Sequence, residues 1–571
     1  MPAENAAEII RRNATDPAYR DRPALKFGDR TWTHAEYGAE CHRWANLFLA
    51  RTPADRALHV AVLLDNTPEY LFALGGAALS GSAIVGLNHT RRGTDLLRDV
   101  DHTHCGLVIT EPKHLPLLEP IAADLASWPV LVSHRYPDAA GPDPELRIGT
   151  DLDAALADFD STDAGFVPEA DAIWGLIFTS GTSSAPKAVI CTQRRLLVTA
   201  VRMGIIMDLG PDDVGYVCMP LFHSNGLMVG WAPSLVAGAS VGLGRRFSAS
   251  GWLPDIRRYG STYFNYTGKP LAYLLATPEL PDDADNTLRI AFGNEGSPEV
   301  VDNFARRYAL EVIDAYGATE GGVAVNRGAE EREGALGQVP DHVQVVDDEG
   351  NPLPPAQLDA SGRVLNPDEC VGEIVNTAGV GPFEGYYNND EANAKTTRFG
   401  WYWTGDLGYL DEDRYLYFAG RNADWIRVDG ENFPAGPIEA VLGRHPHVVL
   451  ASVYGVPDDQ AGDQVMAGLV WAEGVPFDGA EFASWIDAQP AIGPKARPRY
   501  VRLLDDPPTT GTNKIVKRTL VGQKWRRDRI SGDAVYVRER GADAYRAFTD
   551  EDEVALFDSF KHYQRDRFWD L

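Results

Sequence analysis

The densest chemistry in the chain lies in one short stretch, Phe178-Thr-Ser-Gly-Thr-Ser-Ser-Ala-Pro-Lys187, directly after the apolar run Ala172–Phe178. Thr179, Ser180, Thr182, Ser183 and Ser184 offer hydroxyls, Gly181 lets backbone come close, and Lys187 adds a cation. Backbone N–H groups, hydroxyls and one ammonium suit a phosphate cradle. The chain has only ten lysines, so one in this loop is informative. A Ser/Thr-rich surface turn is the plainer alternative. The GxxxxGK[ST] spacing of a Walker A loop is absent.

Such a loop needs a strand to present it, and the surrounding pattern supplies one. Buried strands are predicted at 58–65, 81–87, 106–110 and 129–134, with helices at 33–49 and 69–80 between them. Strands alternating with helices imply a largely parallel α/β sheet. Residues 137–170 read as a loop-rich connector with an acidic helical piece. Asp411–Gly420 reads as a hairpin with a polar turn. Beyond it, a helix (439–445), two strands (448–456, 466–472) and a second helix (478–489) make a small α+β unit. The expected architecture is a large N-terminal multi-layer α/β domain, 1–421, followed by a small mobile α+β domain, 422–571. The charged, aromatic segment 521–571 has no pattern that places it.

Composition excludes several functions. The 53 basic and 82 acidic side chains leave a net charge of -29. No basic face for nucleic acid is implied, and anionic ligands must be held by a few local cations. Five scattered cysteines, Cys41, Cys105, Cys191, Cys218 and Cys370, contain no CxxC pair. That argues against a disulfide framework and a zinc site. No signal-peptide core is seen at the N-terminus, so a cytoplasmic location is expected. Residues 214–244 lack Asp, Glu, Lys and Arg, yet Pro220, His223, Asn225 and Pro233 interrupt them. They read as strand, loop, buried helix and strand rather than a membrane span.

The phosphate loop closely resembles that of the adenylate-forming superfamily, which includes acyl-CoA synthetases, luciferases and peptide-synthetase adenylation domains. Asp314-Ala-Tyr-Gly-Ala-Thr-Glu320, Trp403-Thr-Gly-Asp406, Gly420-Arg421, Arg427-Val-Asp-Gly-Glu-Asn432 and Gly511-Thr-Asn-Lys514 follow in the family's order. The resemblance spans 25–520. Tyr316–Gly321, Lys495-Ala-Arg-Pro498 and Tyr263-Phe-Asn-Tyr-Thr-Gly268 are similar to the fatty-acid-transport and very-long-chain acyl-CoA synthetase branch.

The resemblance implies an AMP-forming acid–thiol ligase. It would use ATP and Mg²⁺ to convert a long-chain or polycyclic apolar acid to acyl-AMP, release pyrophosphate, and transfer the acyl group to the CoA thiol. Two anions must meet, so fixed donors and cations should lower the barrier. Lys514 would contact carboxylate and α-phosphate, with Thr319 and Glu320 as further catalytic and metal-holding groups. Mg²⁺ suits carboxylate and phosphate oxygens. Thr179, Ser180, Gly181, Thr182, Ser183, Ser184, Lys187 and Thr319 would receive the phosphates.

Tyr316, within Asp314, Ala315 and Gly317, would stack on adenine. Gly293, Asn294 and Glu295 would line adenine and the acyl pocket. Asp406 would hold the ribose diol, with Arg421 beside it. Phe222, His223, Trp231, Tyr266 and Gly293 would form the acid pocket. Rotation at a hinge near Ala423 would exchange Lys514 for Gly430, which lines the thiol tunnel, and exclude water from the intermediate. The partners implied are the acid, ATP and CoA, with no nucleic acid and no membrane insertion. A homodimer is the commonest assembly of soluble oligomers.

Two departures stand out. Ser183-Ser184 replaces the usual Thr-Gly of the loop, and Ala423 stands where the hinge often has Asp or Lys, with Asp424 one place further on. Two rival functions remain open at this point: loading a carrier protein, and nucleotide binding without turnover. Amino-acid adenylation fits poorly, because Phe222-His223 occupies the place of an amine-binding aspartate.

Overall fold

The computed structural model describes residues 4–136, 148–179, 187–294, 296, 298–326, 332, 334–358, 364–421, 425–428, 431–459, 463–489, 491–509, 515–530, 532–563 and 565–570. Its organisation follows from one helix. Pro68–Ser80 is buried at every position. A helix apolar all round must lie between layers rather than on a surface. It packs on His34–Leu49, which starts with a reciprocal cap: Thr33 Oγ1 accepts from Glu36 N, and Glu36 Oε2 accepts from Thr33 N. Gly75 and Gly76 allow this approach. A Cβ on either would lie 2.2 Å from Cys41 Sγ or 2.7 Å from Trp44 Cβ.

Two sheets flank these helices. One has seven strands, ordered Thr150–Asp151, Val130–Val132, Leu107–Thr110, His59–Leu63, Ala83–Gly86, Ile173–Phe178 and Ala188–Thr192. All neighbours are parallel except the last pair, which is antiparallel. The other has eight strands, with six parallel strands at its centre and an antiparallel strand at each edge. The predicted strands and helices of the first 134 residues are present. So is the strand, loop, helix and strand reading of 214–244, with a π-helical turn, Asn225–Trp231, at the start of its helix.

A third, antiparallel sheet was not foreseen as a unit. Its order is Ala335–Gln338, Tyr415–Arg421, Tyr402–Leu410, Gly372–Asn376 and Val343–Val346. A polar-turned hairpin is present, but 411–420 supplies only its turn, Asp411–Arg414, and its second strand; the first strand, Tyr402–Leu410, lies ahead of the expected bounds. Beyond it, Trp425–Val428 pairs with Glu431–Pro434, and a further five-stranded sheet begins with Val448–Pro457 and Asp463–Trp471.

The segment that sequence left unplaced builds onto that last sheet. Ala534–Val537 adds beside Tyr500–Leu503, and Asp550–His562 covers one side. Trp525, Phe548, Phe560 and Trp569 join Tyr454, Met466 and Tyr500 in one buried cluster. Lys524, 2 % exposed, donates to Phe568 O at 2.7 Å and Trp569 O at 3.1 Å. Among the described residues, no helix is long and apolar enough to cross a membrane.

Trp525 is central to this cluster, with Trp569 edge-on at 5.7 Å. Trp525→Ala is expected to lower the unfolding free energy by about 3–5 kcal/mol, as for other buried aromatics truncated to alanine. Urea denaturation followed by fluorescence measures it; an unchanged midpoint would show that the C-terminal segment is not part of the folded unit.

Candidate functional site

The hairpin Ile173–Phe178/Ala188–Thr192 presents the Ser/Thr-rich loop, and Thr179 N donates to Lys187 O at its neck, 3.1 Å. Both flanking strands are largely buried, so the loop's roots are fixed. A second segment, 384–387, is stitched along the second strand. Ile190 N donates to Gly385 O, Tyr387 N to Ala188 O, and Thr192 gives both its N–H and its hydroxyl to the Glu384 carboxylate at 2.9 and 2.6 Å.

That stitching aims Tyr386 at the next segment. Its hydroxyl donates to Glu320 Oε1 at 2.8 Å. Lys187 Nζ sits 5.3 Å from the same ring's centroid. Burial, with the Glu320 charge beside it, raises the Tyr386 hydroxyl well above the usual range, so it remains a donor. Lys187 and Glu320, distant in sequence, thus share one aromatic residue.

Thr319 and Glu320 are held from behind by Arg195, on the helix Gln193–Ile206. Its guanidinium donates to Ile190 O at 2.5 Å, to Glu320 O at 3.0 Å and to Thr319 O. Arg195 is 6 % exposed, and these partners are carbonyls rather than carboxylates. Hydrogen bonds from a charged donor contribute about 1.5–3 kcal/mol each. The Thr319 hydroxyl lies 2.8 Å from Ser224 Oγ.

On the third sheet, Gly405 adopts φ +74, and the turn is fixed by Gly405 N to Glu373 Oε1 and Thr404 Oγ1 to Ile374 O, each 2.8 Å. This presents Asp406, whose Oδ2 accepts from Tyr316 Oη at 2.7 Å. Arg421 lies opposite Asp406 in the strand register. The Phe418 ring stands 6.2 Å from Tyr316.

Several candidates serve as framework. Asp314 Oδ2 accepts from Tyr266 Oη at 2.8 Å and Gly296 N at 2.9 Å, so it holds Gly296 in place. Tyr266, assigned above to the acid pocket, is 0 % exposed and packs with Phe264, Tyr216 and Trp252; it is core, with its hydroxyl orienting Asp314. Gly293 is glycine because a Cβ there would lie 2.3 Å from Tyr266 O. Ala315 packs beside Phe292 and Met207, whereas a Cβ on Gly317 would meet only Val323 O, at 3.9 Å. Trp231 stacks on Trp174 at 5.8 Å and is likewise packed. Asn294 Oδ1 lies 3.5 Å from Asn225 Nδ2.

Phe222 and His223 are adjacent rings at 4.5 Å, and His89 meets Phe222 edge-on at 5.2 Å. Burial, with His114 next, lowers His89 to about 4, leaving it neutral at pH 7. Behind it Asp65, Glu111 and His114 come together. Burial opposes charge at Asp65, but hydrogen bonds from His114 and Lys113 outweigh it and hold the carboxyl low. Lys113 and Arg245 balance the acids, so the group reads as an ion network rather than a metal centre. Ser180, Gly181, Thr182, Ser183, Ser184, Glu295, Ala423, Gly430 and Lys514 lie outside the described residues.

Arg195, Tyr386, Glu384, Ser224 and His89 were missed in the sequence. Their roles come from pairings such as Arg195 to Thr319 and Tyr386 to Glu320, across 124 and 66 residues, which leave no local pattern.

A family model described as AMP-binding enzyme matches residues 11–387, and one described as AMP-binding enzyme C-terminal domain matches 437–514. The chain is 45% identical over 552 residues to a steroid-22-oyl-CoA synthetase of Rhodococcus jostii, covering 96% of each. It is 46% identical over 491 residues to a medium/long-chain-fatty-acid–CoA ligase, FadD17, of Mycobacterium tuberculosis, covering 85% of this chain and 90% of that one. In fold it is similar to an anthranilate CoA ligase solved with anthranoyl-AMP (TM-score 0.76, 22% identity, 90% of this chain and 96% of that one).

Arg195→Lys replaces a planar fork by a point charge. Affinity for a non-hydrolysable ATP analogue, measured by calorimetry, is expected to fall about tenfold, the scale of one charged hydrogen bond. Unchanged affinity would mean that the clamp at 319–320 does not shape a nucleotide site.

Proposed function

We propose, from the premise that the chain belongs to the AMP-binding enzyme family and is an AMP-forming acid–thiol ligase, that its substrate is a bulky apolar carboxylic acid of steroid type. The observation that carries this reading is the 45% identity to the steroid-22-oyl-CoA synthetase along 96% of both chains. The near equal identity to a fatty-acid–CoA ligase supports a medium- or long-chain acid as second reading. The apolar wall at Phe222 and neutral His89 suits either.

In this account ATP binds with adenine at Tyr316, ribose hydroxyls at Asp406 and phosphates near Thr319, Lys187 and the 179–187 loop. The acid carboxylate attacks the α-phosphorus, pyrophosphate leaves, and an acyl-adenylate forms. Lys514 neutralises charge during that attack. Thr319 and Glu320, both hard oxygen donors, would hold Mg²⁺, which supplies charge neutralisation at the phosphates when bound. The unit 422–571 then turns near Ala423, Lys514 withdraws, and the CoA thiol attacks the acyl carbon near Gly430, releasing AMP. The setting is cytoplasmic, and the enzyme a homodimer. Free CoA is favoured over a carrier protein as acceptor because the Gly430 segment keeps the family pattern.

Acid-dependent exchange of labelled pyrophosphate into ATP tests the first step. Exchange is expected with steroid-22-oic acids, and less with dodecanoate; exchange with acetate alone would overturn the substrate class. Lys514→Ala is expected to reduce exchange at least 100-fold, the upper part of the range for a preorganised electrostatic group. It should leave thioester formation from supplied acyl-adenylate within about threefold. Equal loss in both steps would contradict the role given to Lys514.

A further inference from the structure

The acid side and the nucleotide side of the site meet at a pair of hydroxyls. Ser224 Oγ lies 2.8 Å from Thr319 Oγ1. Ser224 follows His223 in the proposed acid wall and precedes the π-helical turn Asn225–Trp231. Such turns are rare and frequently sit at functional sites. This one is anchored at its first residue, where Asn225 Nδ2 donates to Tyr266 O at 2.8 Å and Asn225 Oδ1 accepts from Asn265 at 2.7 Å. Thr319 is fixed on its other side by Arg195. The hydroxyl pair therefore spans two braced elements.

Its hydrogen bond has two directions. In a serine–threonine pair either oxygen can donate, and the other contacts of each decide which one does. An anionic phosphate oxygen at Thr319 would take that hydroxyl's hydrogen. Ser224 must then donate to Thr319 Oγ1, and its rotor, free to choose before, has one state. A nucleotide thus orders the residue next to the acid wall before the acid arrives. An acid whose apolar body covers Ser224 favours that same state, because it leaves no hydroxyl hydrogen stranded, and so favours the nucleotide in return, since coupling between two sites is reciprocal.

We infer that Ser224 is a positioning residue that couples nucleotide and acid binding through Thr319. The inference rests on the proposed assignment of Thr319 to the nucleotide phosphates. It concerns cooperativity and adds nothing to the chemistry of the transfer itself.

The test is calorimetry on the full chain with α,β-methylene-ATP as nucleotide and dodecanoate or a steroid-22-oic acid as acid probe. Each ligand is titrated alone and with the other present. In the natural protein the acid is expected to bind about twofold tighter with the nucleotide present, the ratio gained when one of two equal hydroxyl directions is selected. The nucleotide should gain the same factor from the acid. In Ser224→Ala and the similarly sized Ser224→Cys the factor falls to one, while nucleotide affinity alone stays within about twofold. Ser224→Thr, which keeps the hydroxyl, restores it. A merely structural role would weaken both single affinities and leave the factor intact. A natural factor near one, or one retained in Ser224→Ala and Ser224→Cys, overturns the inference. A natural protein that binds no nucleotide contradicts the Thr319 assignment instead, and one that binds neither acid contradicts the substrate class.

Discussion

The Arg195 guanidinium on the carbonyls of Ile190, Thr319 and Glu320 is the constraint from which the site is assembled. Ile190 belongs to the seven-stranded sheet, and Thr319 follows a strand of the eight-stranded one. One planar cation therefore sets the distance between the strand Ala188–Thr192 and the turn at 318–320. A lysine could neutralise charge there but could not fix three carbonyls in one plane. Burial makes the arrangement stiff, because an unsatisfied guanidinium hydrogen inside the fold is costly.

The third sheet is tied to these residues by the same logic of polar contacts at fixed positions. Tyr316 reaches Asp406 at 2.7 Å, and Tyr386 reaches Glu320 at 2.8 Å. Both bonds run from the third sheet or its approach segment to residues that follow or end Glu311–Gly317. The result is a set of donors and acceptors joined across the sheets, in a chain whose net charge of -29 would repel a polyphosphate at long range. Arg195 and Lys187 are the cations placed among these contacts.

Much of this was legible in the residues. The alternating strands and helices up to 134 follow from runs of Val, Ile and Leu between amphipathic stretches, and the motifs at 178–187, 314–320 and 403–406 carry residue types whose chemistry is plain. What escaped was long-range. Asp314 looks like a ligand-binding acid until Tyr266 and Gly296 are seen to occupy it. Tyr266 and Trp231 looked like pocket walls because an aromatic residue in a core and one in a pocket share the same sequence signal. The antiparallel sheet at 335–421 joins strands by register between distant segments, which hydrophobic alternation alone does not specify. The aromatic residues of 521–571 come from a turn, a strand end and two helices, so no period links them.

The central claim is that a nucleotide sits between the Arg195-held turn and Asp406. A crystal structure with a stable acyl-adenylate analogue, a dodecyl sulfamoyl-adenosine, tests it most directly. The account predicts ribose hydroxyls on Asp406, the sulfamoyl group at Thr319, and Arg195 still bonded to the carbonyls of 319 and 320. An analogue lodged elsewhere, with Asp406 and Thr319 making no contact to it, would contradict the account.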